Sequence, residues 1–274
     1  MKTTRLLLLS ALLWLPAAAQ RNGKEWTVPG TVRTTWIGNS FDGAGANSNV
    51  GRWVQNSIAD LEVSPDGTAV TASGWDENGR CTGLYKDGDC NTKKLKQYNG
   101  KGGHKAWGWG TAANAVAVCK DEIFIANNNG DLMRFHWQPG QLNSARYVDQ
   151  ARYCRGGARE KMSKEQRKSG IIAVGLSARK SRLALLRGNG EVLLWTTAKG
   201  FKPAGKFRVD NARDLALTDK GTLWIVDGKH VLNFAADGKE LSRLADAGKP
   251  TKIDIAPDGR LVVCDAKRHQ VRIY

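Results

Sequence analysis

Apolar and polar residues alternate in short bursts along most of the chain, separated by turn residues, the pattern of half-buried β-strands. Five bursts end on an aromatic: CTGLY at Tyr85, GDLMRF at Phe135, GEVLLW at Trp195, HVLNF at Phe234 and QVRIY at Tyr274. A second apolar strand precedes each one: TAVTAS at 68–73, EIFIAN at 122–127, SRLALL at 181–186, TLWIVD at 222–227 and RLVVCD at 260–265. Before these lie IADLEV from Ile58, NAVAV from Asn114, IIAVGL from Ile171, ARDLAL from Ala212 and TKIDIA from Thr251. The terminal aromatics are 50, 60, 39 and 40 residues apart. A period near forty with several strands per unit predicts an all-β propeller with almost no helix. Residues 20–57 have the length of one more unit, with candidate strands at 31–37 and 52–56. Six four-stranded blades are therefore expected, the last closed by an N-terminal strand near 31–37; five blades is the runner-up.

The unit is clearest from Pro250 to Tyr274. Ile253 and Ile255 alternate with Lys252 and Asp254, so one face is apolar and the other polar. Pro257, Asp258 and Gly259 then form a turn in which Pro presets φ and Gly supplies a positive one. Asp265 ends the second strand; Asp227 and Asn127 hold the same place in earlier units, where such side chains bond the backbone of the turn. Together, the proline, the alternating strand, the Asp-Gly turn, the V-x-D strand end and the final apolar-x-apolar-aromatic strand resemble the NHL repeat. Asn211–Phe234 follows that pattern moderately, Ile171–Trp195 and Asn114–Phe135 loosely. The chain also resembles the broader superfamily of gluconolactonase and senescence-marker-like propellers. Its first third, with TTWIGNSFDG, GRWVQN, SGWDENGR and GHKAWGWG, is similar to exported bacterial NHL-like proteins.

The first residues change the picture of where the protein works. MKTTRLLLLSALLWLPAAAQ has Lys2 and Arg5, an apolar run from Leu6 to Leu15, then small residues, as in a secretory leader cleaved after Ala19. The run is shorter than the roughly 20 residues that span a bilayer, and no later segment is apolar enough to span. Residues 1–19 are read as the leader and 20–274 as one propeller domain, periplasmic or extracellular and monomeric.

The formal net charge of +16 favours anionic envelope polymers, carbohydrate or a protein partner; nucleic acid is not expected, because no nucleic-acid motif is present. Residues 152–170 hold seven Lys or Arg against two Glu and lengthen one repeat spacing to 60, which marks a basic insertion loop. The five cysteines are Cys81, Cys90, Cys119, Cys154 and Cys264. If the chain turns at Lys86–Asp89, Tyr85 faces Cys90, and Cys81 lies roughly 13 Å off register, too far for a disulfide. Cys119 and Cys264 are expected as small core residues.

Two loop stretches carry candidate chemistry. SGWDENGR at 73–80 and GGHKAWGWG at 102–110 combine tryptophan with polar groups and glycine. Trp75, Asp76, His104, Lys105, Trp107 and Trp109 would form a ligand platform on one propeller face, with indoles stacking on flat ligands such as sugar rings; blade-to-blade packing is the other reading of these tryptophans. No catalytic constellation is visible and no cofactor is expected. The lactonase resemblance implies an alternative, a divalent cation in the central channel. Asp60, Asn114 and Asp214, each at the start of an innermost strand, are the nearest equivalents of its oxygen ligands, of the type calcium takes. The E-G-P-x-W setting of those relatives is missing. The expected function is a non-enzymatic binding or scaffold module of the cell envelope, the alternative a calcium-dependent lactone or ester hydrolase.

Overall fold

The computed structural model describes residues 24–25, 58–73, 82–86, 89–90, 113–127, 130–142, 144–153 and 173–274. Their twenty strands form five four-stranded antiparallel sheets, and no helical residue occurs among them. From the innermost strand outward, blade 1 runs β2 (Ile58–Val63), β3 (Ala69–Ser73), β4 (Thr82–Lys86) and β5 (Asp89–Cys90). Blade 2 is β6 (Ala113–Cys119), β7 (Glu122–Asn127), β8 (Asp131–His136) and β9 (Arg146–Arg152). Blade 3 is β10 (Ala173–Arg179), β11 (Arg182–Arg187), β12 (Glu191–Thr196) and β13 (Lys202–Arg208). Blade 4 is β14 (Asp214–Leu217), β15 (Leu223–Val226), β16 (Val231–Phe234) and β17 (Glu240–Arg243). Blade 5 is β18 (Pro250–Ile255), β19 (Leu261–Asp265) and β20 (Gln270–Ile273), with β1 (Lys24–Glu25) outside them.

The described residues thus form five blades, the runner-up, rather than the six first expected. Among the described residues, the stretch 20–57 supplies only Lys24 and Glu25 as strand, opposite Ile273 and Arg272 of blade 5. Two residues cannot make a blade of their own. Closure through 31–37 is not supported, and that stretch lies outside the described residues, as do the leader and 154–170 of the basic insertion.

Every strand read from the repeat is present, and each triplet forms the inner three strands of one blade. The register at the first hairpin is also as expected, with Tyr85 opposite Cys90. Cys119 and Cys264 are half-buried free thiols, and burial raises the pKa of each. In the last blade Gly259 adopts φ +87°, which the Pro-Asp-Gly turn requires of it.

What joins the blades is apolar. Val70 and Leu84 of blade 1 pack with Val116, Ile123, Phe135 and Trp137 of blade 2. Phe124 and Leu132 meet Leu183, Leu185 and Trp195 at the next junction. Leu186 and Val192 then meet Leu215, Ile225 and Phe234, and Val226 and Val231 meet Ile253, Leu261 and Val263. A single blade has two faces and cannot cover them alone, so burial couples each blade to its neighbour.

Candidate functional site

The innermost strand of each blade presents an open sheet edge toward the propeller axis, and its buried N–H groups need acceptors. Side chains of the preceding blade supply them. Asp60 Oδ2 on β2 accepts from Val116 N on β6 at 3.0 Å. Ser177 Oγ on β10 accepts from Leu217 N on β14 at 2.9 Å. Asp214 Oδ2 on β14 accepts from Ile253 N on β18 at 3.0 Å. Glu62 accepts from Val118 N one step further along the first of these junctions. These polar residues clasp one blade to the next.

They also line a cavity of about 370 Å³, together with Glu62, Lys252 and Asp254. Its electrostatics follow from crowded carboxyls, of which Asp214 is buried, Asp60 and Glu62 are half-buried and Asp254 is exposed. Burial pushes Asp214 up to about 7, assisted by the charge of Asp60 and opposed by Lys252 and backbone N–H bonds. Burial likewise raises Glu62 well above its usual range, and Asp254 and Asp60 add to that. Asp60 and Asp254 are raised by burial as well. The Lys252 ammonium stands between blades 1 and 4, 4.0 Å from Asp60 Oδ1 and 3.6 Å from Asp214 Oδ1. Gly175 leaves room for the Asp214 carboxylate, since a Cβ there would lie 3.0 Å from Oδ1.

Of the expected metal ligands, Asp60 and Asp214 meet at this cavity, whereas Asn114 is half-buried on β6 and is not part of its lining. Among the described residues no group of three or more His, Cys, Asp or Glu side chains is placed to hold a metal ion. Trp75, Asp76, His104, Lys105, Trp107 and Trp109 lie outside the described residues. Trp137, one of the tryptophans of the first half, is buried between blades 1 and 2. Sequence reasoning missed Glu62, Ser177, Lys252 and Asp254. The available signal was the polar face of the innermost strands, on which Lys252 and Asp254 alternate with Ile253 and Ile255.

The V-x-D strand ends behave as turn organisers. Asp265 Oδ1 accepts from Lys249 N, Lys267 N and Arg268 N at 2.9, 3.0 and 3.4 Å. The Lys249 bond leads in holding its pKa down at about 2, with Arg268 assisting against burial. Residues 248–274 match the NHL repeat. The fold is a β-propeller with an NHL repeat in its last blade.

A solved β-propeller shares the architecture. The WD40 β-propeller domain of Doa1 is similar with a TM-score of 0.50 at 9% identity, over 79% of this chain and 62% of that one. The chain therefore spans under two thirds of that domain's length. A Myxococcus xanthus glutaminyl cyclase (TM-score 0.48, 12% identity, 80% and 90% covered) and a streptogramin B lyase (0.49, 10%, 80% and 69%) are also similar. Such identities bear on fold alone. No curated protein matches the chain in sequence. No helix among the described residues is long and apolar enough to cross a membrane.

Proposed function

We propose that this NHL-type propeller is a non-enzymatic binding or scaffold module of the cell envelope, reached through its leader, with carbohydrate or an anionic polymer as ligand. The observation that carries this reading is the occupation of the channel carboxylates. Asp60 and Asp214 each give an oxygen to a neighbouring blade's N–H, and Lys252 stands where a cation between them would stand. Calcium takes six to eight oxygens, so the donors here do not fit it while Lys252 keeps its place. The leader and the net charge of +16 support an anionic or polyhydroxylated partner met outside the cytoplasm.

A calcium-dependent lactone or ester hydrolase remains the competing reading, and one observation favours it. Asp214 at about 7 is in the range of a general base. The purified protein should be assayed with a panel of lactones and esters with and without calcium, beside Asp60→Ala, Asp214→Ala and Lys252→Met. The binding reading predicts no turnover in any of them. Calcium-dependent turnover by the wild type, lost in both aspartate variants, would overturn it.

A further inference from the structure

Charge is distributed unequally between the two ends of blades 4 and 5. The antiparallel pairing puts the β14–β15, β16–β17 and β18–β19 connections at one end of the molecule. There three acids, Asp219, Asp237 and Asp258, match three cations, Lys220, Lys239 and Arg260. The β13–β14, β15–β16, β17–β18 and β19–β20 connections gather at the opposite end. They contribute Arg213, Lys229, Lys249, Lys267 and Arg268, all exposed.

The acids at that end are already taken. Asp210 pairs with Arg208 at 3.0 Å, and Asp227 Oδ2 is hydrogen-bonded to His230 Nδ1 at 3.0 Å. Asp246 lies 3.3 Å from Arg272 and 3.6 Å from Arg268, and Asp265 pairs with Arg268 at 3.0 Å. Arg213, Lys229, Lys249 and Lys267 make no ion pair among the described residues. They are held in place by the same device in both blades. One oxygen of Asp227 accepts from Lys229 N and His230 N at 2.7 and 2.6 Å. One oxygen of Asp265 takes both Lys249 N and Lys267 N. The Arg213 guanidinium lies over Gly228, where a Cβ would sit 2.6 Å from its Nε. The backbone is fixed, and the ammonium groups extend from it into solvent.

We infer that this rim of blades 4 and 5, at the mouth of the channel, is a docking face for an anionic polysaccharide. The inference rests on the proposed binding role and narrows it to a surface and a ligand class. Four cations without an ion pair, on four loops of two adjacent blades, suit a chain of spaced carboxylate or sulfate groups. The connections contain no Trp, Tyr or Phe and no exposed Leu, Ile or Val. Unstacked bases would therefore lack an aromatic platform, and a lipid surface would lack an inserting apolar side chain.

The test uses the full mature chain and fluorescently labelled polygalacturonate, with neutral dextran, poly(dT) and phosphatidylglycerol vesicles as comparators. Lys229→Glu/Lys267→Glu is compared with Lys220→Glu/Lys239→Glu, which makes the same charge change at the opposite end. Both pairs are surface substitutions, and unchanged melting curves confirm folding. Polygalacturonate should bind in a salt-sensitive manner, dextran should not, and only the Lys229/Lys267 pair should weaken binding, by about tenfold or more. Equal losses in the two pairs, no loss in either, no polygalacturonate binding, or tighter binding to poly(dT) or vesicles would overturn the inference. Lactone turnover, by contrast, would sink the non-enzymatic reading while leaving this surface to stand or fall on its own binding data.

Discussion

Asp214 occupies two roles at once, an acceptor for Ile253 N and a buried acid beside Lys252. Its folded pKa of about 7 exceeds the roughly 3.9 of an unfolded Asp. The folded state thus holds the proton more tightly, and stability falls as pH rises from about 4 to about 7. The full gap corresponds to about 4 kcal/mol at most. Asp214→Asn retains an acceptor for Ile253 without a charge, so urea unfolding across pH 4–8 should show a flatter curve than the wild type. Glu62, Asp60 and Asp254 titrate in the same direction, which leaves some slope in the variant. An equally steep variant curve would assign the slope to other groups. Gly190 is a simpler case: it has φ +86°, and a Cβ would collide with the carbonyl of Val209. Gly190→Ala should cost about 1–3 kcal/mol in the same unfolding measurement; a loss below about 0.5 kcal/mol would show that the turn relaxes.

At the level of elements, the polar clasp inside the ring has a counterpart further out. Arg134 on β8 pairs with Asp149 on β9 at 2.6 Å and Glu122 on β7 at 3.2 Å. It also donates to Thr197 O of blade 3 at 2.6 Å and lies over the Phe201 ring at 5.6 Å. Lysine cannot reproduce this planar fork. Arg134→Lys should therefore destabilise by about 2–3 kcal/mol, and Arg134→Met by about 3–5 kcal/mol because Asp149 loses its partner. Thermal and urea melts check the order; equal stability of the three proteins would show that the apolar cluster alone joins these blades. The inner three strands of every blade were legible because alternation and terminal aromatics mark surfaces buried on one or both sides. The outermost strands were not. Lys202–Arg208 and Glu240–Arg243 are exposed at nearly every position, so no apolar rhythm distinguishes them from loop. The channel was half legible: Asp60 and Asp214 stood out as acids on inner strands, but the meeting of Lys252 with both depends on the curvature of the ring. The length of 20–57 and two candidate strands within it suggested a sixth blade, and neither specifies pairing.

Across the whole molecule, apolar clusters join blades 1 to 5 in order around a polar channel among the described residues, with excess positive charge at one end of blades 4 and 5. The channel is acidic in composition, and backbone N–H groups and Lys252 offset only part of the burial that raises its four carboxyls. A tightly bound calcium ion between Asp60 and Asp214 would have to displace that ammonium from their Oδ1 atoms. The most direct measurement is a thermal melt of the mature protein with and without about 5 mM calcium, repeated for Lys252→Met. Ligands that bind the folded state raise its melting temperature. Carboxylates committed to Lys252 and the blade junctions predict no calcium-dependent rise in the wild type, with any rise confined to Lys252→Met. A clear rise in the wild type that is lost in Asp60→Asn and Asp214→Asn would contradict that commitment and restore the metal-dependent hydrolase as the better reading.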